Sequence, residues 1–134
     1  MPRRRTARRR AIDVLFQADL TDRQISTVLE ERSELERESP VYTRELVAGV
    51  EEHLAELDRI LGEHAEGWTV PRMPVVDRAI LRLAAYEILY RDDVPDAVAI
   101  NEAVDAAKEL STEASRSFVN GLLGKIASTR AETA

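Results

Sequence analysis

Apolar residues recur along this chain at helical spacing, and nowhere do they alternate strictly as in a half-buried strand. Ala7, Ala11, Val14, Leu15 and Ala18 form one face, which predicts a first helix from about Arg5 to Asp19. Thr21 and Gln24 have capping-box spacing ahead of a second helix that turns Ile25, Val28 and Leu29 inward. Residues 30–38 hold one apolar residue in nine and are expected to be a fraying end or a loop. Ser39-Pro40 marks a helix start, and the stripe Leu46, Val50, Leu54, Leu57, Leu61 predicts a long third helix over 41–65. A break at 67–74 carries Pro71 and Pro74, with Trp68 expected to plug the end of the bundle, an exposed binding role being the alternative.

Residues 75–91 are apolar nearly all round, the pattern of a helix with neighbours on several sides. Asp92 to Pro95 ends it. A fifth helix over 98–110 buries Ile100, Ala103, Val104, Ala107 and Leu110. Ser111-Thr112 offers the cap for a sixth over 114–128, within which Gly121 and Gly124 are expected to serve close helix packing. The expectation is an all-α fold of six to seven helices, with residues 1–134 forming one domain and residues 1–10 a basic N-terminal arm.

Charge changes this picture. The net charge is −6, from 19 basic and 25 acidic residues. Six arginines lie in residues 1–10, which hold no acid, so the rest of the chain carries 13 bases against 25 acids, a net of −12. A cationic arm on an acidic body implies two different surfaces. Arginine forks match phosphate oxygens and stack on bases, so Arg4, Arg5, Arg8 and Arg9 are candidate RNA contacts. Phe16 lies at i+7 from Arg9 and fits either a stacking or a core role. Arg78 and Arg82 share one side of the apolar helix. Asp77 and Glu87 within the fold, or an external phosphate or acidic partner, would neutralise them. Arg116 and Lys125 flank Phe118, which fits either the core or an exposed stacking position.

Catalysis and cofactors find no support. There is no cysteine, no glycine-rich loop after a strand and no Gly-x-Ser-x-Gly elbow. His53 and His64 are eleven apart among glutamates, unlike metal ligands three or four apart. No catalytic residue, metal or cofactor is expected. The apolar run at Val14 to Phe16 is too short for a secretory signal, and no stretch reaches the roughly 20 apolar residues of a membrane span. A cytoplasmic protein is expected.

Four segments, in this order and separation, resemble the NusB family of bacterial transcription antitermination factors. They are Arg4-Arg5-x-Ala7-Arg8, Asp77-x-Ala79-Ile80-Leu81-Arg82-x-Ala84-x-Tyr86-Glu87, Val94-Pro95-x-x-Val98 through Val104, and Phe118 through Leu123. The resemblance implies two packed helical bundles. It also implies binding of boxA RNA in ribosomal RNA operon transcripts, together with the small-subunit ribosomal protein NusE, in an RNA polymerase antitermination complex that reads through terminators. It maps the family's RNA contacts to Arg4, Arg5, Arg8, Phe16 and Phe118, and a partner-facing acid to Asp77. Arg9, Arg82 and Arg116 join the RNA candidates from their charge and position. A homodimer that hides the arm is a further possibility of such a surface. The competing reading is a helical protein-interaction module whose acidic body binds a basic partner. No methyl-donor-binding segment is present, so the methyltransferases that carry a NusB-like part are not expected here.

Overall fold

The computed structural model describes residues 2–32 and 40–133. These form seven α-helices: α1 (Pro2–Leu20), α2 (Ile25–Glu31), α3 (Pro40–Glu52), α4 (Leu54–His64), α5 (Val75–Tyr90), α6 (Asp96–Leu110) and α7 (Glu113–Thr133). A 3-10 turn at Val70–Arg72 leads into α5, and no strand occurs among the described residues. Most of the loop expected at 30–38, together with Ser39, lies outside the described residues.

The all-round apolar pattern of residues 75–91 has its expected consequence. Ten of the sixteen residues of α5 are buried, including the charged Asp77 and Glu87. α1 and α3 pack on one side of α5, with α2 laid against both of them. α4, α6 and α7 pack on the other side. The fold is thus two helical bundles that share α5 as their common member.

α1 starts at Pro2, earlier than the alanine stripe predicts, so the basic arm is the first half of a helix. Ala7, Ala11, Val14, Leu15 and Ala18 are buried as expected, and Ile12 joins them. The capping box at Thr21 does not form. Asp22 takes a left-handed conformation (φ 54°), and Arg23 N donates to Ala18 O at 2.9 Å, closing α1. The Thr21 hydroxyl bonds back to Gln17 O at 2.7 Å, while Gln24, the residue before α2, makes no side-chain cap. Thr21 therefore ends one helix and does not begin the next.

The long third helix bends at His53 (φ −108°, ψ 17°), which separates α3 from α4. Its stripe is buried at Leu46, Val50, Leu57 and Leu61, with Leu54 partly so. Thr112 caps α7 as expected, accepting from Ser115 N at 3.1 Å. Three expectations fail. Leu110 is 47% exposed, because the buried face of α6 runs through Ala99, Ala103, Ala106 and Ala107. Trp68 is also 47% exposed, leaving Val70 and Met73 to fill the end of the bundle. A Cβ on Gly121 or Gly124 would meet nothing within 4 Å, and nothing in the structure explains these glycines. The close approach is at Gly49, where a Cβ would overlap the Tyr86 ring.

Candidate nucleic-acid interface

The alanine stripe of α1 seats the helix on α5, and that sets the direction of each arm arginine. Arg8 follows Ala7 and points into the protein. Its Nε lies 3.0 Å from both carboxylate oxygens of Glu87, and its Nη1 lies 3.3 Å from Glu102. The side chains of Arg8 and Glu87 are 7% and 1% exposed. Tyr42 completes the cluster, its hydroxyl donating to Glu87 at 2.6 Å. Burial raises the Tyr42 phenol pKa well above its ordinary value, and the adjoining Glu87 carboxylate adds to the rise. Arg8 is thus corrected from an expected phosphate contact to a buried tie between α1 and α5.

Arg4, Arg5 and Arg9 lie further out, against the acids of α6 and the loop before it. Arg4 Nη2 is 2.7 Å from Asp93, and its guanidinium stands 4.2 Å from the centre of the Tyr42 ring. Arg5 is 3.2 Å from Asp105, with Glu102 and Glu109 also within 4 Å. Arg9 Nη1 lies 2.7 Å from Glu109. Such exposed pairs are worth about 0–1 kcal/mol each, so an incoming phosphate can compete for them. A recess of about 450 Å³ runs along this arm, and Arg5, Arg9, Arg10 and Arg32 line it.

Arg78 and Arg82 are neutralised inside the fold, but not by the acids nearest in sequence. Arg78 Nε is 2.7 Å from Asp19 on α1, and Arg82 binds Asp58 on α4 through two 2.8 Å bonds. Arg82 also reaches Asp19 at 3.3 Å. Both side chains are 13% exposed, so Arg82 is corrected from an RNA candidate to a bridge between the two bundles. Asp77, expected to face a partner, is 2% exposed. Its oxygens accept from Ser111 and Ser115, each at 2.6 Å, and so hold the start of α7 against the start of α5.

The two phenylalanines keep mixed positions. Phe16 is half-buried and forms a wall of an apolar recess beside Arg9. Phe118 is half-buried with its ring tilted 57° to Trp68 at 6.4 Å, in a second recess of about 220 Å³. Arg116, two residues earlier on α7, is 37% exposed and 3.3 Å from Glu113. The recesses flank the junction where α6 ends and α5 begins, one touching Leu110 and Val76, the other Thr112 and Asp77. Tyr42 is the site residue that spacing alone misses, while Trp68 takes the exposed position that the sequence left open beside the plug. Tyr42 carries only a helix-start signal, and nothing in its neighbours reveals the three arginines around its ring.

Among the described residues, no group of three or more His, Asp or Glu is placed to hold a metal ion. No helix there is long and apolar enough to cross a membrane.

An all-helical protein of two bundles with an arginine-lined face along its first helix is the class that fold and site define. Residues 5–128 match the NusB family model, and the chain belongs to that family. It is 52% identical to the transcription antitermination protein NusB of Salinispora arenicola, over 95% of this chain and 96% of that one. It is 54% identical to the protein of the same name from Saccharopolyspora erythraea, over 95% and 88%. Among solved structures it is similar to T. maritima NusB, with a TM-score of 0.85 and 37% identity over 93% of this chain and 90% of that one. It is also similar to a chain in a crystal structure of the antitermination factors NusB and NusE in complex with dsRNA. There the TM-score is 0.86, with 27% identity over 96% of this chain and 98% of that one.

Proposed function

We propose that this chain is an RNA-binding transcription antitermination factor. With the ribosomal protein NusE it binds boxA RNA of ribosomal RNA operon transcripts and promotes read-through by RNA polymerase. It acts in the cytoplasm, by binding and without catalysis, and residues 1–134 work as one unit. The observation that carries the reading is the face of α1, where Arg4 and Arg5 stand outward against displaceable acids and the half-buried Arg9 lies beside them against Glu109. The relatives named NusB, and the similar chain solved with NusE and dsRNA, support the same reading.

Arg4, Arg5 and Arg9 supply the phosphate contacts, while Phe16, Arg116 and Phe118 contribute along the α5–α6 junction. Arg8 and Arg82 act indirectly, by holding α1 and α5 in place. The basic partner docks on the acidic body, and Asp77 serves that surface by fixing the first turn of α7.

The test is binding of a boxA-like RNA oligonucleotide across a salt series, with and without NusE. Affinity is expected to fall with salt at a slope of about −0.7 per phosphate neutralised. Replacing Arg4, Arg5 and Arg9 together by glutamine flattens that slope and leaves the helical circular dichroism intact. RNA binding unchanged by this triple substitution, alongside tight NusE binding, would favour the protein-interaction module.

A further inference from the structure

α1 and α6 both pack on α5, and charged side chains bridge the space between them. Along α6, Glu102, Asp105 and Glu109 recur at i, i+3 and i+7, so they line one face as a row of carboxylates. The row opens toward solvent along the helix, from 20% exposure at Glu102 to 48% at Asp105 and 59% at Glu109. Along α1, Arg5 and Arg9 are one turn apart and meet this row. Arg5 lies 3.2 Å from Asp105 and 3.9 Å from Glu109, and Arg9 lies 2.7 Å from Glu109. Asp93, just ahead of α6, takes Arg4 at 2.7 Å. Each arginine assigned to phosphate is therefore already paired with a carboxylate of the same chain. The pairing of Arg9 is imperfect: its Nη2 is shielded from solvent and has no hydrogen-bond partner among the described residues. A buried donor left unmet is costly, so release of Arg9 to an outside acceptor recovers a hydrogen bond.

We propose that the carboxylate row of α6, with Asp93, is an autoinhibitory competitor for the arm, an inference that rests on the RNA binding proposed above. In the free protein the row holds Arg4, Arg5 and Arg9 closed, and an incoming polyanion displaces it. Carboxylate and phosphate oxygens offer a guanidinium the same kind of charged acceptor, so the exchange swaps like for like. Each pair is exposed enough to open singly, yet closing all of them lowers the affinity of the arm for any phosphate chain. The row reads no base, so it lowers every affinity by the same factor. A weak, nonspecific complex then falls below occupancy, while a tight one keeps it.

The test removes charge and keeps shape, in the double variant Asp105→Asn, Glu109→Gln of the full chain. Glu102 stays, because it also holds the buried Arg8. Both altered side chains are about half exposed, so the thermal melt is expected to stay close to that of wild type. The probes are oligouridine, oligoadenosine and inorganic polyphosphate, read by fluorescence anisotropy and competition. The variant is expected to bind all three about tenfold more tightly, the size that a few exposed ion pairs supply together. The control Glu52→Gln, Glu63→Gln changes net charge equally, but its acids pair with His53 and Arg59. Its gain is expected to stay below about twofold at physiological salt, where charges out of contact are screened. Weaker or unchanged binding by the first variant overturns the competitor, since the acids would then only pose the arm or play no part. An equal gain in the control, or a gain confined to one base type, overturns it too. Polyphosphate that gains as expected while no RNA binds at any salt refutes the RNA reading and leaves the competitor standing. A first variant that binds none of the three probes overturns both.

Discussion

A Cβ atom on Gly49 would overlap the phenol ring of Tyr86, so α3 and α5 approach as closely as they do only because residue 49 has no side chain. Gly49→Ala is expected to destabilise the fold by about 1–3 kcal/mol, the usual penalty of overpacking. The converse holds at Gly121 and Gly124, which sit within α7 with open space where a Cβ would be. Alanine at either position is expected to stabilise by about 0.5–1 kcal/mol through helix propensity. Urea denaturation of the three variants checks both signs at once. Stabilisation by Gly49→Ala would show that Tyr86 moves aside freely.

Arg8 and Arg4 are one helical turn apart, yet differ in what their removal does. Arg8 is paired with Glu87 out of contact with water, whereas the Arg4 and Asp93 side chains are 41% and 47% exposed. Arg8→Ala leaves a buried carboxylate without its partner and is expected to lose about 3–5 kcal/mol. Arg4→Ala is expected to change stability by less than about 1 kcal/mol while weakening RNA binding. Thermal melts and RNA titrations of the two variants separate the structural arginine from the binding one. Equal losses of stability would place Arg4 in the core network too.

The contrast between these two arginines shows how far the sequence could be read. The helical faces were legible because burial repeats with the helical period. Ala79, Ile80, Leu81, Leu83, Ala84, Ala85 and Ile88 of α5 and the stripe of α1 are buried where the spacing puts them. Ion-pair partners were not legible. Arg78 and Arg82 meet Asp19 and Asp58, 59 and 24 residues away along the chain, and only the packed fold sets those distances. Arg8 read as one member of a basic run because nothing local shows that Glu87 waits opposite it. Charge density alone gave the arm its correct sign, but not which of its arginines face outward.

Tyr42 provides a test of the buried cluster at high pH. Its phenol is held protonated above the ordinary value of 10.0, first by burial and then by its bond to Glu87. A phenol pKa raised in the folded state contributes stability that is complete below the unfolded value and is lost as pH rises through the folded one. Wild type is therefore expected to lose stability above about pH 10 faster than Tyr42→Phe, which has no phenol to ionise there. Subtracting the variant's ultraviolet titration from that of wild type isolates the Tyr42 curve. A midpoint near 10 in that difference would mean that neither the burial of Tyr42 nor its bond to Glu87 persists in solution.

Phe118 separates stacking from packing. It is half-buried beside Trp68, and the inward face of α7 is already supplied by Val119, Leu122, Leu123 and Ile126. Truncating a fully buried phenylalanine costs about 3–5 kcal/mol. Phe118→Ala is expected to lose less than this, because part of its ring already meets solvent. Base–aromatic stacking is worth roughly 1–3 kcal/mol, so RNA affinity is expected to fall about tenfold. Trp68 is the only tryptophan in the chain and lies 6.4 Å from the Phe118 ring, so its emission reports the recess directly. RNA is expected to shift that emission in wild type with the same midpoint as the anisotropy change, and the shift is expected to shrink in Phe118→Ala. A large drop in melting temperature, with RNA affinity intact and Trp68 emission unmoved by RNA, would make Phe118 a packing residue and move the interface to the arm alone.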